Sequence, residues 1–243
     1  MAFMAKKVGK KSKYKGTPTL EVLEGAHRYN NWIAQSILPF VRPPVLEIGA
    51  GIGNLSALFI HKAPITLSDL ESEFVNILKD KFPKEKKVLV KKFDISKSPD
   101  SSMIKKYNTV ISVNVLEHIE DDFKALANLK KTLNKNGKII ILVPAKKKAY
   151  SKLDKELGHF RRYEKEELSS LLSRAGFKVE KIGFFNIVGL LTWVTRNYLS
   201  SQNVQLTARQ VAMFDSIVPI LRPIEKRVKI PVGISLIAVA INE

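Results

Sequence analysis

Three glycines stand at alternate positions directly after a short apolar run, and such a loop can bind a charged ligand through its backbone. Val45–Ile48 is predicted as a buried strand, and Gly49, Gly51 and Gly53 follow it ahead of a predicted helix. Glycine adopts positive φ and has no Cβ, so a ligand can approach the main chain closely. The N–H groups at the start of the helix can bind a carboxylate. Dinucleotide enzymes also use a glycine-rich turn, but the spacing here is Gly-x-Gly-x-Gly and not Gly-x-Gly-x-x-Gly.

Acidic residues end the next two predicted strands. Asp69 lies twenty residues beyond Gly49, where its carboxylate can accept both ribose hydroxyls of an adenosine. The alternative is that it caps the helix predicted from Glu71. Asp94 could accept from the exocyclic amine of an adenine, with Ile95 and Leu70 flanking the ring, or it could be an ordinary turn aspartate.

Polar and aromatic residues near these strand ends are candidates for binding and activating a substrate. His118, just past the fourth strand, is placed to act as a general base, or Glu117-His118 caps the next helix. A second cluster could bind an anionic acceptor or could pin its own loop through ion pairs; it consists of His159, Arg161, Arg162 and Tyr163. Tyr29 lies ahead of the glycine loop and could fold over a bound cofactor as part of a lid.

Strands and helices alternate between these residues, which predicts a parallel sheet covered by helices on both faces. Strands are predicted at 45–48, 65–68, 88–93, 109–113, 138–143, 178–183 and 233–241. Helices are predicted at 54–62, 71–81, 119–133 and 164–175, with helical segments between 19 and 40. A further helical region at 207–228 should be kinked or split by Pro219 and Pro223.

The absence of cysteine excludes disulfides, cysteine-based zinc sites and thiol nucleophiles. The four histidines show no close spacing, so we expect no metal. The longest nearly apolar stretch, residues 183–194, is too short to span a bilayer. We therefore expect a cytoplasmic protein, peripheral to a membrane at most.

The net charge of +18 favours polyanionic partners, either an anionic membrane surface or RNA, although it could serve only solubility. Six lysines lie within the first fifteen residues. Residues 1–16 are therefore predicted to be a disordered basic tail, ahead of a single domain at 17–243 with a helical cap at 185–230.

The order of the glycine loop, Asp69, Asp94 and the run Asn114-Val-Leu-Glu-His-Ile resembles class I methyltransferases over roughly residues 26–184. The resemblance implies a Rossmann-like fold with a seven-stranded, mostly parallel sheet whose last strand is antiparallel. It also implies S-adenosylmethionine as cofactor. Glu47 and the three glycines would meet its amino-acid end, Asp69 its ribose, Asp94 with Ile95 its adenine, and the Asn114 backbone the region of the sulfonium.

The resemblance also constrains the acceptor. The glycine loop is similar to that of rRNA adenine dimethylases, which carry an Asn/Asp-Pro-Pro-Tyr-like motif after the fourth strand. Here that position reads Asn114-Val-Leu-Glu117, without proline or aromatic residue. It is similar instead to quinone-precursor, lipid and sugar methyltransferases. We expect methyl transfer to an oxygen of a small-molecule, sugar or lipid-linked acceptor; an RNA methyltransferase and a non-catalytic Rossmann-like binding module are the alternatives.

Overall fold

A seven-stranded sheet organises the chain, in a computed structural model that describes residues 16–83, 87–186, 207–227 and 232–243. The strands run in the order β3-β2-β1-β4-β5-β7-β6. They are β1 Val45–Ile48, β2 Ile65–Asp69, β3 Val88–Lys92, β4 Tyr107–Val113, β5 Leu133–Pro144, β6 Phe177–Phe185 and β7 Ser235–Asn242. The pairs among β1 to β5 are parallel, and β7 is antiparallel to both β5 and β6. The predicted fold class is confirmed.

Helices cover both faces of the sheet. They are α1 Thr17–Glu24, α2 His27–Ile37, α3 Ser56–Phe59, α4 Ser72–Lys81, α5 Asp122–Thr132, α6 Lys152–Leu157, α7 Lys165–Arg174 and α8 Ala208–Arg227. Because helices lie on both sides, β1 and β2 are buried along their whole length.

Several predicted boundaries shift for identifiable local reasons. The helix predicted at 54–62 is the short α3 followed by a 3₁₀ turn at Ile60–Lys62. The helix predicted from Ile119 begins at Asp122, because the Asp121 side chain caps it by accepting the Lys124 N–H at 2.9 Å. Helix α6 was not predicted; Ser151 and Asp154 form a capping box at its start.

Helix α8 was predicted to be kinked or split, and the prediction of a split is wrong. One helix continues through Pro219 and Pro223. Both rings lie on the exposed side of the helix, while Val211 and Val218 on the opposite side are buried. This buried side packs against α2, and the packing holds the helix together where the prolines remove hydrogen bonds.

Two predicted segments lie outside the described residues: the basic tail apart from Gly16, and most of the predicted cap, including the apolar run around Trp193. The division into tail and single domain therefore stays a prediction. Within the described part of the chain, none of the helices has the length and apolar character needed to span a membrane.

Candidate cofactor and substrate site

A cavity of about 710 Å³ opens at the carboxyl ends of β1 to β4, beneath α1 and α2. Parallel strands bring their carboxyl ends to one sheet edge, so loops far apart in sequence meet there. Most of the predicted cofactor residues line it: Tyr29, Glu47, Gly49, Gly51, Asp69, Leu70, Asp94, Ile95 and Asn114. His118 also lines it, whereas Gly53, His159, Arg161, Arg162 and Tyr163 do not.

The loop after β1 requires glycine because protein atoms, as well as any ligand, lie close to its backbone. Gly49 has φ +67°, and a Cβ there would lie 2.3 Å from Cγ2 of Val115. Gly51 has φ +54°, and its Cβ would lie 3.3 Å from Cδ1 of Leu20 on α1. Gly53 lies against Phe82 instead of the cavity. The loop is thus wedged between α1 and the segment after β4.

Asp69 ties the end of β2 to this loop. Its Oδ2 accepts the Gly51 N–H at 2.8 Å, and its Oδ1 accepts the Glu71 N–H at 3.0 Å. Burial raises the pKa of the carboxyl, and these hydrogen bonds oppose that shift. Asp69 therefore orders the turn before α4 and still faces the cavity, so the two roles considered for it are compatible.

Glu47 is a buried carboxyl on the cavity wall. Burial is the main reason that its pKa rises to about 7, and the nearby Ser56 hydroxyl opposes the rise. Its Oε2 has no hydrogen-bond partner among the described residues. Because an unpaired buried carboxyl is costly, this oxygen is suited to a cationic group of a ligand, such as the α-ammonium of an amino acid.

The predicted adenine end of the cavity is formed by the loop after β3. Partial burial would raise the pKa of Asp94, but hydrogen bonds from Ser96 and the nearby Lys97 lower it overall. The Ser96 N–H and hydroxyl bind Oδ1 at 3.0 and 2.6 Å. Ile95 is buried and Leu70 is exposed, and both line the cavity. An ionised acceptor on the same cavity wall as two apolar side chains is suited to a planar ring that carries an amine.

Tyr29 contributes to the cavity wall and also to the core. Its ring packs against Trp32, Phe185 and Phe214, with centroids 6.4, 6.4 and 5.4 Å away. Its backbone N–H donates to Asp215 of α8 at 2.8 Å. The segment that was considered a lid is therefore held by α8.

Asn114 and His118 lie on the stretch that follows β4. Asn114 has φ +52°, a conformation that asparagine tolerates, and its N–H donates to Leu142 O at 2.8 Å. Burial and the neighbouring His159 lower the pKa of His118 to about 4, although a hydrogen bond to the Gly158 backbone opposes this. His118 is therefore neutral at physiological pH.

His159 and Asp154 stand behind His118. The two imidazole rings meet edge to face, with centroids 4.6 Å apart. Asp154 is fully buried, and its Oδ1 lies 2.9 Å from Nδ1 of His159. The structure thus forms a chain from Asp154 through His159 to the cavity at His118. Asp154 was not among the predicted site residues, although the Ser-x-x-Asp pattern beginning at Ser151 marks it as a capping residue.

Glu117 lies buried beside this histidine pair. Burial raises its pKa to about 8, and neither carboxyl oxygen has a hydrogen-bond partner among the described residues. Three possible metal-ligand atoms lie within 4.8 Å of one another, one each from Glu117, His118 and His159. These three residues could therefore hold a metal ion. Sequence spacing could not reveal this group, because α6 and its flanking loops bring His159 back to the end of β4. The expectation of no metal stays a prediction.

The remaining predicted substrate residues make contacts within the protein. Arg162 is buried and donates from Nε to Asp154 Oδ1 at 2.9 Å and from Nη1 to Ala145 O at 3.2 Å. Tyr163 is buried and donates to Asp122 at 2.9 Å, and Arg161 pairs with the same carboxylate. These three residues border a smaller recess of about 240 Å³. Acceptor binding by this cluster stays a prediction. Of its four residues, His159 contacts His118, which lines the main cavity.

Known proteins place this architecture in a family. A family model described as a methyltransferase domain matches residues 24–182. The chain belongs to the methyltransferase-domain family. It is therefore an S-adenosylmethionine-dependent methyltransferase of class I, and S-adenosylmethionine is its cofactor. The free oxygen of Glu47 and the carboxylate of Asp69 are suited to the cofactor's ammonium and ribose groups. No curated protein sequence matches the chain.

Solved structures share the methyltransferase fold at low sequence identity. A protein from Bacillus halodurans C-125 assigned as a methyltransferase is 16% identical, with a TM-score of 0.59 over 86% of this chain and 98% of that one. The Haloferax volcanii methyltransferase in complex with the activator Trm112 is 14% identical, with a TM-score of 0.67 over 96% and 99%. Haemonchus contortus phosphoethanolamine N-methyltransferase 2 in complex with S-adenosyl-L-methionine is 16% identical, with a TM-score of 0.59 over 96% and 60%. At this identity the likeness shows the fold.

Proposed function

We propose that this methyltransferase modifies an oxygen of a small-molecule, sugar or lipid-linked acceptor, with His118 as the general base. The observation that carries the proposal is a neutral imidazole on the cavity wall, four residues beyond Asn114. A hydroxyl must lose its proton as it becomes an ether oxygen, and a neutral histidine can accept that proton.

The cofactor supplies an electrophilic methyl group on a sulfonium. With the cofactor bound, the acceptor oxygen would take this methyl group in place of the sulfur, and S-adenosylhomocysteine would be the leaving group. The hydroxyl proton passes to the neutral imidazole of His118; the rings of His118 and His159 meet edge to face, and the buried Asp154 carboxylate lies on the far side of His159. The walls of the cavity contribute alignment and exclusion of water.

Two features support a small or lipid-linked acceptor over a nucleobase. The segment after β4 lacks the proline and aromatic residue that orient a planar amine in base methyltransferases. The cavity wall is mainly apolar, with Leu20, Ile33 and Ile119 among its members. The high positive charge is the observation that favours RNA, and it is equally suited to an anionic lipid surface.

The test is transfer of labelled methyl groups from S-adenosylmethionine to separate lipid, sugar and RNA extracts, followed by identification of the methylated atom. We expect an O-methylated lipid or sugar product. His118→Asn should lower kcat by about 10²–10⁴-fold and leave cofactor affinity unchanged. His61→Asn, on an exposed histidine away from the cavity, is the matched control. A label found in RNA, or on nitrogen or carbon, would overturn the proposal.

A further inference from the structure

The outward side of α8 is apolar, although it faces away from the core in the described part of the molecule. Met213, Ile220 and Ile224 are 67%, 66% and 49% exposed. We call the surface that they form with their exposed neighbours the outer face of α8; the neighbours are Ala212, Ser216, Pro219 and Pro223. Soluble proteins rarely leave such a continuous apolar row without a partner.

Positive charge lies at one end of the outer face, and negative charge is kept away from it. Arg209 is exposed one turn before Met213, whereas Arg222 is exposed on another side of the helix, two residues from both Ile220 and Ile224. Asp215 is buried and accepts the Tyr29 N–H at 2.8 Å, and Glu225 accepts the Asn186 N–H at 3.0 Å. The sequence contains no Asp or Glu between Glu180 and Asp215, and the whole chain carries +18.

The chemistry of the outer face favours a lipid surface over a protein partner. Protein interfaces usually carry about one hydrogen bond per 100–200 Å². On the outer face, the hydroxyl of Ser216 already donates to Met213 O at 2.7 Å. A lipid surface needs no directional hydrogen bonds. An apolar helix face with a basic border is the pattern by which helices lie in the membrane interface.

We propose that the outer face of α8 docks this protein on an anionic membrane surface. The apolar side chains enter the boundary between headgroups and acyl chains, and Arg209, one turn before Met213, meets lipid phosphates. The twenty residues of α8 lie flat over a length of about 30 Å.

Docking would bring the cavity close to the lipid. The buried side of α8 contacts Tyr29 through Phe214 and Asp215, and Tyr29 lines the cavity. About one helix diameter, roughly 10 Å, therefore separates the membrane from the cavity wall. A lipid-linked acceptor could then reach the cavity from the membrane. This consequence rests on the proposed function, whereas docking itself does not.

The experiment is sedimentation of the full-length protein with vesicles of phosphatidylcholine alone or with about 30% phosphatidylserine. The test variant combines Met213→Ser, Ile220→Ser and Ile224→Ser. The control variant combines Leu89→Ser and Ile104→Ser, which remove exposed apolar side chains elsewhere (52% and 46% exposed). We expect the wild type and the control to prefer anionic vesicles at least about tenfold, and the test variant to lose about tenfold of its binding.

Five results would overturn the proposal. The first four are no binding of the wild type to anionic vesicles, unchanged binding of the test variant, an equal loss of binding in the control variant, and a wild-type dimer that the three substitutions of the test variant convert to a monomer. A large fall in the melting temperature of the free test variant would mean that the chain itself covers the face, which also overturns it. Cofactor affinity, measured in parallel, should be equal in all three proteins. A failure of membrane docking would therefore leave methyl transfer intact, and it could be told apart from a failure of the proposed function.

Discussion

The carboxylate of Asp69 holds the backbone of Gly51, since its Oδ2 accepts the Gly51 N–H at 2.8 Å. The acid at the end of β2 therefore shapes the glycine loop after β1 as well as facing the cavity. Replacing Asp69 should weaken cofactor binding in two ways: directly, by removing the contact with the ribose, and indirectly, by releasing the glycine loop.

Asp69→Ala should weaken S-adenosylmethionine binding by roughly 1.5–3 kcal/mol, the usual range for a lost charge-assisted hydrogen bond. Asp69→Asn, which keeps one oxygen as an acceptor, should lose less. Calorimetric titration of the two variants measures this difference. Unchanged affinity in a folded Asp69→Ala protein would remove Asp69 from the cofactor site.

Glu47 should make cofactor binding release protons. Its pKa is raised to about 7 in the free protein, so near neutral pH the carboxyl is partly protonated. A cationic ammonium beside Oε2 stabilises the ionised form, so binding near pH 7 should expel up to about half a proton. Titration in buffers of different ionisation enthalpy measures this number. Glu47→Gln should abolish the release, and an equal release in this variant would contradict the assignment.

Glu117 should make the protein less stable as the pH rises. Its folded pKa of about 8 lies above the ordinary value of 4.5, so the folded state holds the proton more tightly than the unfolded state. The stabilisation is complete below about pH 4.5 and is lost as the pH rises through about 8, with a slope of at most about 1.4 kcal/mol per pH unit.

Glu117→Gln keeps a neutral, similarly shaped side chain and removes this dependence. Urea unfolding at several pH values should therefore show the wild type losing stability relative to Glu117→Gln between pH 5 and pH 8. A difference that stays constant over this range would show that Glu117 is ionised in the folded protein. His118, whose lowered pKa acts in the opposite direction below pH 6.5, is present in both proteins and largely cancels.

Arg162 should contribute more to stability than to acceptor binding. It is buried against Asp154, and Arg162→Ala would leave that carboxylate with one fewer cationic partner, which typically costs about 3–5 kcal/mol. Arg161→Ala, which breaks a more exposed pair with Asp122, should cost less than about 1 kcal/mol. Thermal unfolding without ligand compares the two. An Arg162→Ala protein of normal stability with a raised acceptor KM would support acceptor binding instead.

The sequence by itself determined the order of the elements and the glycine-loop edge of the cavity. Apolar runs and their periodicity depend on near neighbours, so the strands from Val45 to Ile241 were recognised within a few residues. Parallel strands necessarily place their carboxyl ends together, so Glu47, Asp69 and Asp94 could be expected on one cavity wall. The ends of helices depend on capping side chains such as Asp121. Moving a helix end by one or two residues changes the free energy little, so these ends are harder to predict than the elements themselves.

Only the tertiary structure decided how the loops beyond the strand ends meet. The contact of His118 with His159, the burial of Arg162 against Asp154 and the wedge of Val115 against Gly49 each join residues separated by another element or loop. The outward apolar face of α8 is likewise set by which side of the helix packs on α2. Such distances depend on the packing of whole elements, and local sequence patterns carry no information about the distance between two loops.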